Sequence, residues 1–207
     1  MKRIYVDVDT QYDFCDPQGA LFVRGAPAIM DNVKMLVGGA VRRGELLVGS
    51  VDSHHFNAWE FAANGGPFPP HCVKGTHGWL KMSGTMPEKA VFVPNVDGFD
   101  PNLLPEGAHS ILFEKEVYSM FANPSAERVI DAVLAKRGLG RKDVEMIVFG
   151  VATDYCVKAA ALGLVQRGFS VSVVTDAIAA VDPAGGELAL QEMQAAGCRL
   201  VTTEDVR

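Results

Sequence analysis

The sequence predicts a three-layer α/β/α domain of Rossmann-like type, built on a central, mainly parallel six-stranded sheet. Three observations carry this. Short apolar segments alternate along the chain with amphipathic ones. The apolar segments place hydrophobic side chains on both alternating faces, as strands buried on both sides require. The segments between them show helical spacing and helical start and stop signals. Alternating β and α elements of this kind assemble into a parallel sheet with right-handed crossovers and helices on both faces.

The strands read, in order, as Arg3–Val8, Glu45–Val51, Ser110–Phe113, Glu145–Phe149, Val171–Val174 and Arg199–Thr202. A helix covers roughly Ala26 to Arg43. Asn123-Pro124 offers an N-cap followed by proline, which starts a helix that Gly138 ends. Its buried stripe is Val129, Ile130, Val133 and Leu134. The next helix runs from about Asp154 to Arg167 and stops at Gly168, with Val157, Ala160, Ala161 and Leu164 at i, i+3, i+4 and i+7. The last starts at Asp182-Pro183 and ends at Gly197. One stretch, Asp52 to His109, is rich in Gly, Pro and His and poorly periodic. A segment that long without clear elements is expected to be functional or disordered, and its aromatic and His content favours function. No repeat or linker divides the chain, so residues 1–207 read as one domain.

Composition narrows the function classes. The chain is 48% hydrophobic and 21% charged, as in an ordinary globular protein. Its formal net charge is -6 without a Lys/Arg run, which excludes a concentrated basic surface for nucleic acid. The opening "MKRIYVDVD" is broken by Asp7 and Asp9, so no signal peptide is expected, and no apolar run reaches the ~20 residues that cross a bilayer. Cys15, Cys72, Cys156 and Cys198 show no CxxC spacing. They are expected to be free thiols in a reducing cytoplasm.

Ligands of open α/β sheets bind beyond the carboxyl ends of the strands. Those ends carry Asp9, then Asp52 to His55, then Lys115, then "GVATDYC" with Cys156 where a turn becomes a helix. A helix N-terminus and a nearby lysine both favour thiolate. Read alone, Cys156 fits a buried packing thiol as well as a nucleophile. Asp52 and His54 lie two apart in an extended segment and so point the same way. With His71 they make a carboxylate and two imidazoles, a ligand set for Zn, Mn or Fe, and Glu60 offers a fourth ligand directly or through water. Solvent-facing loop residues would give the same spacing. Asp9 directly ends its strand, whereas Asp13 reads as ordering the following turn. His55, His77 and His109 read as surface or structural. "GLG" at 138–140 follows a helix rather than a strand and is rejected as a phosphate loop.

Together these residues resemble the isochorismatase-like superfamily of cysteine hydrolases, and within it most closely the nicotinamidases. The resemblance covers nearly the whole chain. It rests on "VDTQYDF" (8–14), "DSHH" with "FPPHCVKGTHG", "KEVYSMF" (115–121), "GVATDYCV" (150–157), "VTDAIAAV" and "MQAAGCRLVTTEDV". It implies the isochorismatase-like hydrolase fold, with Cys156 as nucleophile, Asp9 as general base and acid, and Lys115 as the cation beside them. It further implies an oxyanion hole from the N–H groups of Ala152 and Cys156, with a cis peptide at Val151-Ala152. Asp52, His54 and His71 would hold one divalent transition-metal ion, with Glu60 near it. Phe14, Phe68 and Val151 would bind the substrate, the two phenylalanines flanking a flat ring. The chain departs from the family pattern at Phe68, where many nicotinamidases carry Trp, and at "CDPQGAL", one residue longer than the usual turn.

The expected function is therefore hydrolysis of nicotinamide to nicotinate and ammonia through a thioester. Alternatives are a superfamily hydrolase acting on a carbamoyl or ureido amide or on isochorismate, and a non-catalytic metal-binding relative. The intact Asp/His/His set argues against isochorismate. The expected partner is a small-molecule amide, with neither nucleic acid nor membrane, and a homo-oligomer is left open.

Overall fold

In a computed structural model describing residues 1–207, seven strands form: β1 (Lys2–Val8), β2 (Leu46–Asp52), β3 (Val91–Val93), β4 (Ser110–Lys115), β5 (Val144–Val151), β6 (Ser170–Ala179) and β7 (Arg199–Val201). They make one sheet in the order β3-β4-β2-β1-β5-β6-β7. Every neighbouring pair is parallel. All residues of β2 and β5 are buried, as their continuous apolar runs require. The helices are α1 (Tyr12–Cys15), α2 (Ala26–Arg43), α3 (Ala126–Lys136), α4 (Lys158–Gln166), α5 (Pro183–Ala195) and α6 (Thr203–Val206). Right-handed crossovers place α2 on one face of the sheet and α3, α4 and α5 on the other. One cluster of 52 buried hydrophobic residues fills the layers between.

The three-layer parallel architecture matches the sequence expectation, and three details correct it. The sheet has seven strands rather than six, because β3 is three residues long and lies in the stretch that lacks periodicity. β6 runs on to Ala179, past a register shift where Val148 pairs with Val173 but Gly150 pairs with Ile178. The regular helix α3 begins at Ala126 rather than at Asn123-Pro124. Asn123 still makes a capping turn before it, its side-chain oxygen accepting from the Ser125 N–H at 3.0 Å, while its amide nitrogen donates to the carbonyls of Val93, Pro94 and Glu114 and so ties β3 to β4. Asp182 caps α5, accepting from the Gly185 N–H at 2.7 Å.

The long aperiodic stretch is ordered by short pairings with itself and with the first strand. His54 bridges Val73, Phe61 bridges Phe68, and Gln11 bridges Lys81. Lys81, almost fully buried, lies 2.9 Å from the Asp7 carboxylate and donates to the Thr10 hydroxyl at 2.8 Å. A buried cation must be paired to be tolerated, so this contact pins the stretch to β1. Polar anchors of this kind leave no hydrophobic periodicity for a sequence reading to find.

Chain direction reverses at the centre of the sheet. The chain leaves β1 toward β2 on one side and leaves β5 toward β6 on the other, so a crevice opens at the carboxyl ends of β1 and β5. Gly150 lies at that point with φ 119°, and a Cβ there would stand 2.1 Å from the Val8 carbonyl oxygen. Gly150→Ala is therefore expected to lower the melting temperature by roughly 5 °C or more, from a destabilisation of about 2–3 kcal/mol. Thermal unfolding followed by circular dichroism measures this, and an unchanged midpoint would show that the two backbones are not in obligatory contact.

Candidate active site

Asp9 leaves β1 in the left-handed region at φ 48°, which turns its side chain into the crevice. Its Oδ1 accepts from the Ser50 hydroxyl at 2.7 Å. Its Oδ2 lies 2.8 Å from Lys115 Nζ. Lys115 ends β4 beside Asp52 at the end of β2, and its ammonium meets Asp52 Oδ1 at 2.5 Å. The same ammonium stands 3.7 Å from Cys156 Sγ. Asp9 and Lys115 are both fully buried.

After β5 the Val151-Ala152 peptide is cis, as the family resemblance implied. Thr153 to Val157 then wind as one π turn, in which the Val157 N–H reaches the Ala152 carbonyl at 3.0 Å. Such turns recur at functional sites because they re-aim one side chain of a helix start. Here the turn sets Cys156 at the floor of the crevice, 7% exposed. The Ala152 N–H donates to no backbone or side-chain group of the protein.

Burial pushes the Asp9 carboxyl up from its ordinary range, and the Lys115 ammonium only partly offsets it. Burial likewise pushes the Cys156 thiol well up, with Lys115 opposing and the Asp9 and Asp52 carboxylates adding to the rise. The helix start and the lysine do not outweigh desolvation and two neighbouring carboxylates, so the resting sulfur keeps its proton. Asp52 behaves oppositely. Burial would raise its carboxyl, but Lys115 and the two imidazoles outweigh burial and hold it far below the ordinary range.

Asp52, His54, Glu60 and His71 offer ligand atoms that all lie within 4.8 Å of one another, and all four residues are buried. Glu60 Oε1 is 3.0 Å from His54 Nε2 and 3.2 Å from His71 Nε2. Asp52 Oδ2 is 3.4 Å from His54 Nε2 and 3.7 Å from His71 Nε2. His71 Nδ1 sits 2.9 Å from the Pro69 carbonyl. A carbonyl only accepts, so Nδ1 carries a proton toward Pro69 and Nε2 is the nitrogen turned to the cluster, where it would ligate a metal on losing its own proton. Burial would push both imidazoles down, but the Asp52 and Glu60 carboxylates outweigh it and hold each at about 9. The converging carboxylates demand positive charge, and two imidazoles with two carboxylates fit a divalent transition-metal ion. Glu60 thus belongs to the cluster itself rather than to its surroundings.

A small, largely apolar pocket opens beside both groups, and Cys156, Ala152, Asp52, Glu60 and His71 all line it. Phe14, Phe68 and Val151 line it as well, so every position inferred for substrate contact falls on its wall. His55 is exposed and His77 stacks on Tyr12 at 4.1 Å between ring centroids, in keeping with their reading as surface or structural. Asp13 orders its turn as expected, accepting from the Ala20 and Cys72 N–H groups. Sequence reading missed the Tyr118–Tyr155 pair at the pocket mouth, 5.2 Å apart, and the apolar wall from Leu21, Val23, Val117 and Val181. It also missed Ser50 behind Asp9. Residues neighbouring the motifs were the only signal for these, since none carries distinctive chemistry.

Comparison with known proteins agrees with this geometry. The family described as "Isochorismatase domain" matches residues 85–205. The nicotinamidase of Escherichia coli (strain K12) is 31% identical over 98% of this chain and 96% of its own. The nicotinamidase/pyrazinamidase of Mycobacterium tuberculosis is 30% identical over 96% of this chain and 98% of its own. The crystal structure of the pyrazinamidase of Pyrococcus horikoshii in complex with zinc superposes with a TM-score of 0.74, at 31% identity, covering 98% of this chain and 99% of that one. No helix here is long and apolar enough to cross a membrane. With its parallel sheet, its thiol at the central crevice and these full-length relatives, the chain belongs to the isochorismatase family of hydrolases.

Proposed function

We propose that the protein is a cysteine amidohydrolase that converts nicotinamide to nicotinate and ammonia. The observation that carries this reading is the placement of Cys156 Sγ in an apolar pocket, 3.7 Å from an ammonium that also holds Asp9 and Asp52. The nicotinamidase and pyrazinamidase relatives support the substrate class.

Asp9 is the base. Burial raises both the carboxyl and the thiol, and the Lys115 ammonium that touches both lowers each, so the proton passes between two groups tuned by one cation. The carboxylate takes the Sγ proton as sulfur attacks the carboxamide carbon, and Lys115 offsets the charge that develops on sulfur. The N–H groups of Ala152 and Cys156 receive the oxyanion, a contribution of about 3 kcal/mol per donor in comparable sites. Asp9 then returns the proton to the departing nitrogen. Ammonia leaves and a thioester remains on Cys156. A water gives its proton to Asp9 and attacks the thioester, and the carboxylic acid departs as sulfur regains the proton. Phe14 and Phe68 hold the ring flat so that the amide lies over sulfur. A divalent ion held by Asp52, His54, Glu60 and His71 (zinc, manganese or iron) would supply an open coordination position for a ring nitrogen.

Cys156→Ala is expected to abolish ammonia release while leaving the circular dichroism spectrum intact, and Asp9→Asn to be nearly as damaging. Substantial turnover by Cys156→Ala would remove the covalent route. Activity requires ionised Asp9, whose pKa is raised in the folded protein. The rate should therefore be full above that value and fall as pH drops through it. With metal in excess, the acid limb of kcat/KM should lie above 3.8, the ordinary aspartate value. A limb at or below it would assign the proton acceptor to another group.

Substrate choice is tested with nicotinamide, pyrazinamide and benzamide under one set of conditions. All three stack equally well between the phenylalanines, so only a partner for the ring nitrogen separates them. Benzamide should be far poorer than the other two, since a site built for a polar atom discriminates strongly against the analogue lacking it. Equal rates for nicotinamide and benzamide would show that the ring nitrogen is not read. Hydrolysis of a ureido amide alone would move the assignment to that substrate class.

A further inference from the structure

The proposed function leaves two polar side chains of the first motif, the buried Gln11 and the half-buried Asp13, without a role in the chemistry. Gln11 is fully buried. Its amide oxygen accepts from the Asp52 N–H at 2.7 Å, and its amide nitrogen donates to the Asp52 carbonyl at 2.8 Å and to the Trp79 carbonyl at 2.9 Å. The reason lies in the sheet. Pairing between β1 and β2 runs through Val8 and Ser50, and the Asp9 N–H makes the last rung to the Ser50 carbonyl at 3.1 Å. There the first strand turns away at Asp9. The next pair of groups on that edge of β2, the N–H and carbonyl of Asp52, is left facing no backbone. A primary amide presents one donor and one acceptor side by side, as a peptide unit does, and Gln11 supplies the missing rung. A glutamate could not donate there, and asparagine is one methylene short.

Asp13 performs the matching task on the other ligand-bearing segment. Its Oδ2 accepts from the Cys72 N–H at 2.7 Å and its Oδ1 from the Ala20 N–H at 3.1 Å. Cys72 follows His71 directly and stands in the left-handed region at φ 46°, so its backbone needs an external hold. Gly78 makes room for that hold, since a Cβ there would lie 2.0 Å from Asp13 Oδ2. One turn of chain, two and four residues past Asp9, thus grips the backbone of Asp52 and the backbone beside His71.

We propose that Gln11 and Asp13 are positioning residues that set the register of the metal-ligand cluster against Asp9, and that the glutamine does so by extending the β1–β2 ladder with its side-chain amide. The proposal rests on the metal-binding part of the function proposed above. Loss of either grip should loosen the cluster while leaving Cys156 in place, because the thiol hangs from β5 and the π turn.

The test uses Gln11→Met, which keeps the length and removes all three hydrogen bonds, and Asp13→Asn, which keeps the shape and one acceptor. Cobalt(II) titration of chelator-treated protein, read by visible absorption, reports the cluster. The rate of Cys156 alkylation by iodoacetamide reports the thiol. Melting of the metal-free proteins confirms folding. Cobalt affinity should fall at least tenfold in Gln11→Met and less in Asp13→Asn, with alkylation within about twofold of the parent, in line with the roughly 10–100-fold effects of outer-shell partners. Cobalt affinity unchanged in both variants overturns the proposal. So does parallel loss of metal and thiol reactivity, which would mark a merely structural role. A parent chain that binds no cobalt overturns it along with the metal part of the proposed function. A parent that binds cobalt but hydrolyses no ring amide overturns the substrate reading alone.

Discussion

The site depends on one buried ammonium. Lys115 lies between the carboxylates of Asp9 and Asp52, at 2.8 and 2.5 Å, and no water-facing surface shares the load. Two carboxylates this close, in a medium of low polarity, cannot both stay ionised without a cation between them. The lysine therefore decides the charge state of both halves of the site. It keeps Asp52 ionised for the ligand cluster, and it limits how far burial can push Asp9. The division of labour follows from environment rather than from residue type. Asp52 also faces two imidazoles and is driven down, while Asp9 has no cation besides the lysine, only the Ser50 hydroxyl as a further stabilising partner, and is left raised by burial.

The same arrangement explains why the sulfur is protected at rest. A standing thiolate beside two carboxylates would add a third negative charge to a dry crevice. A neutral thiol with a nearby acceptor avoids that charge until a carbonyl carbon is present to receive the electrons. Reactivity is thus tied to substrate occupancy, whereas an exposed low-pKa cysteine would be open to any electrophile.

The fold and most of the site were legible because their signals are local. Apolar runs marked six strands, and the strand ends delivered Asp9, Asp52, Lys115 and Cys156 to one rim. What stayed hidden was set by contacts between distant segments. β3 is three residues long and held by the Asn123 amide, 30 positions beyond Val93, so it leaves no pattern of its own. Asn123 does make the capping turn that its proline neighbour signals, but nothing local shows that its amide nitrogen reaches back to β3. The sulfur's protonation state also could not be read from its place at a helix start, since the field there is outweighed by burial and by carboxylates from two other strands. Glu60 was visible only as a candidate. Its membership of the cluster follows from the Phe61–Phe68 pairing, which folds the loop back on His71.

Both margins of the sheet are its shortest strands, three residues each, and both run parallel to their inner neighbours. Pro94 follows the one directly, and the other gives way to the last short helix. Such margins offer an incoming chain too few free backbone groups to add a strand. The sheet is closed to growth on either side although it is not a barrel. A protein with a wholly buried parallel core thereby avoids the edge-to-edge stacking that long apolar strands invite, and any contact between copies has to be made by helix faces and loops.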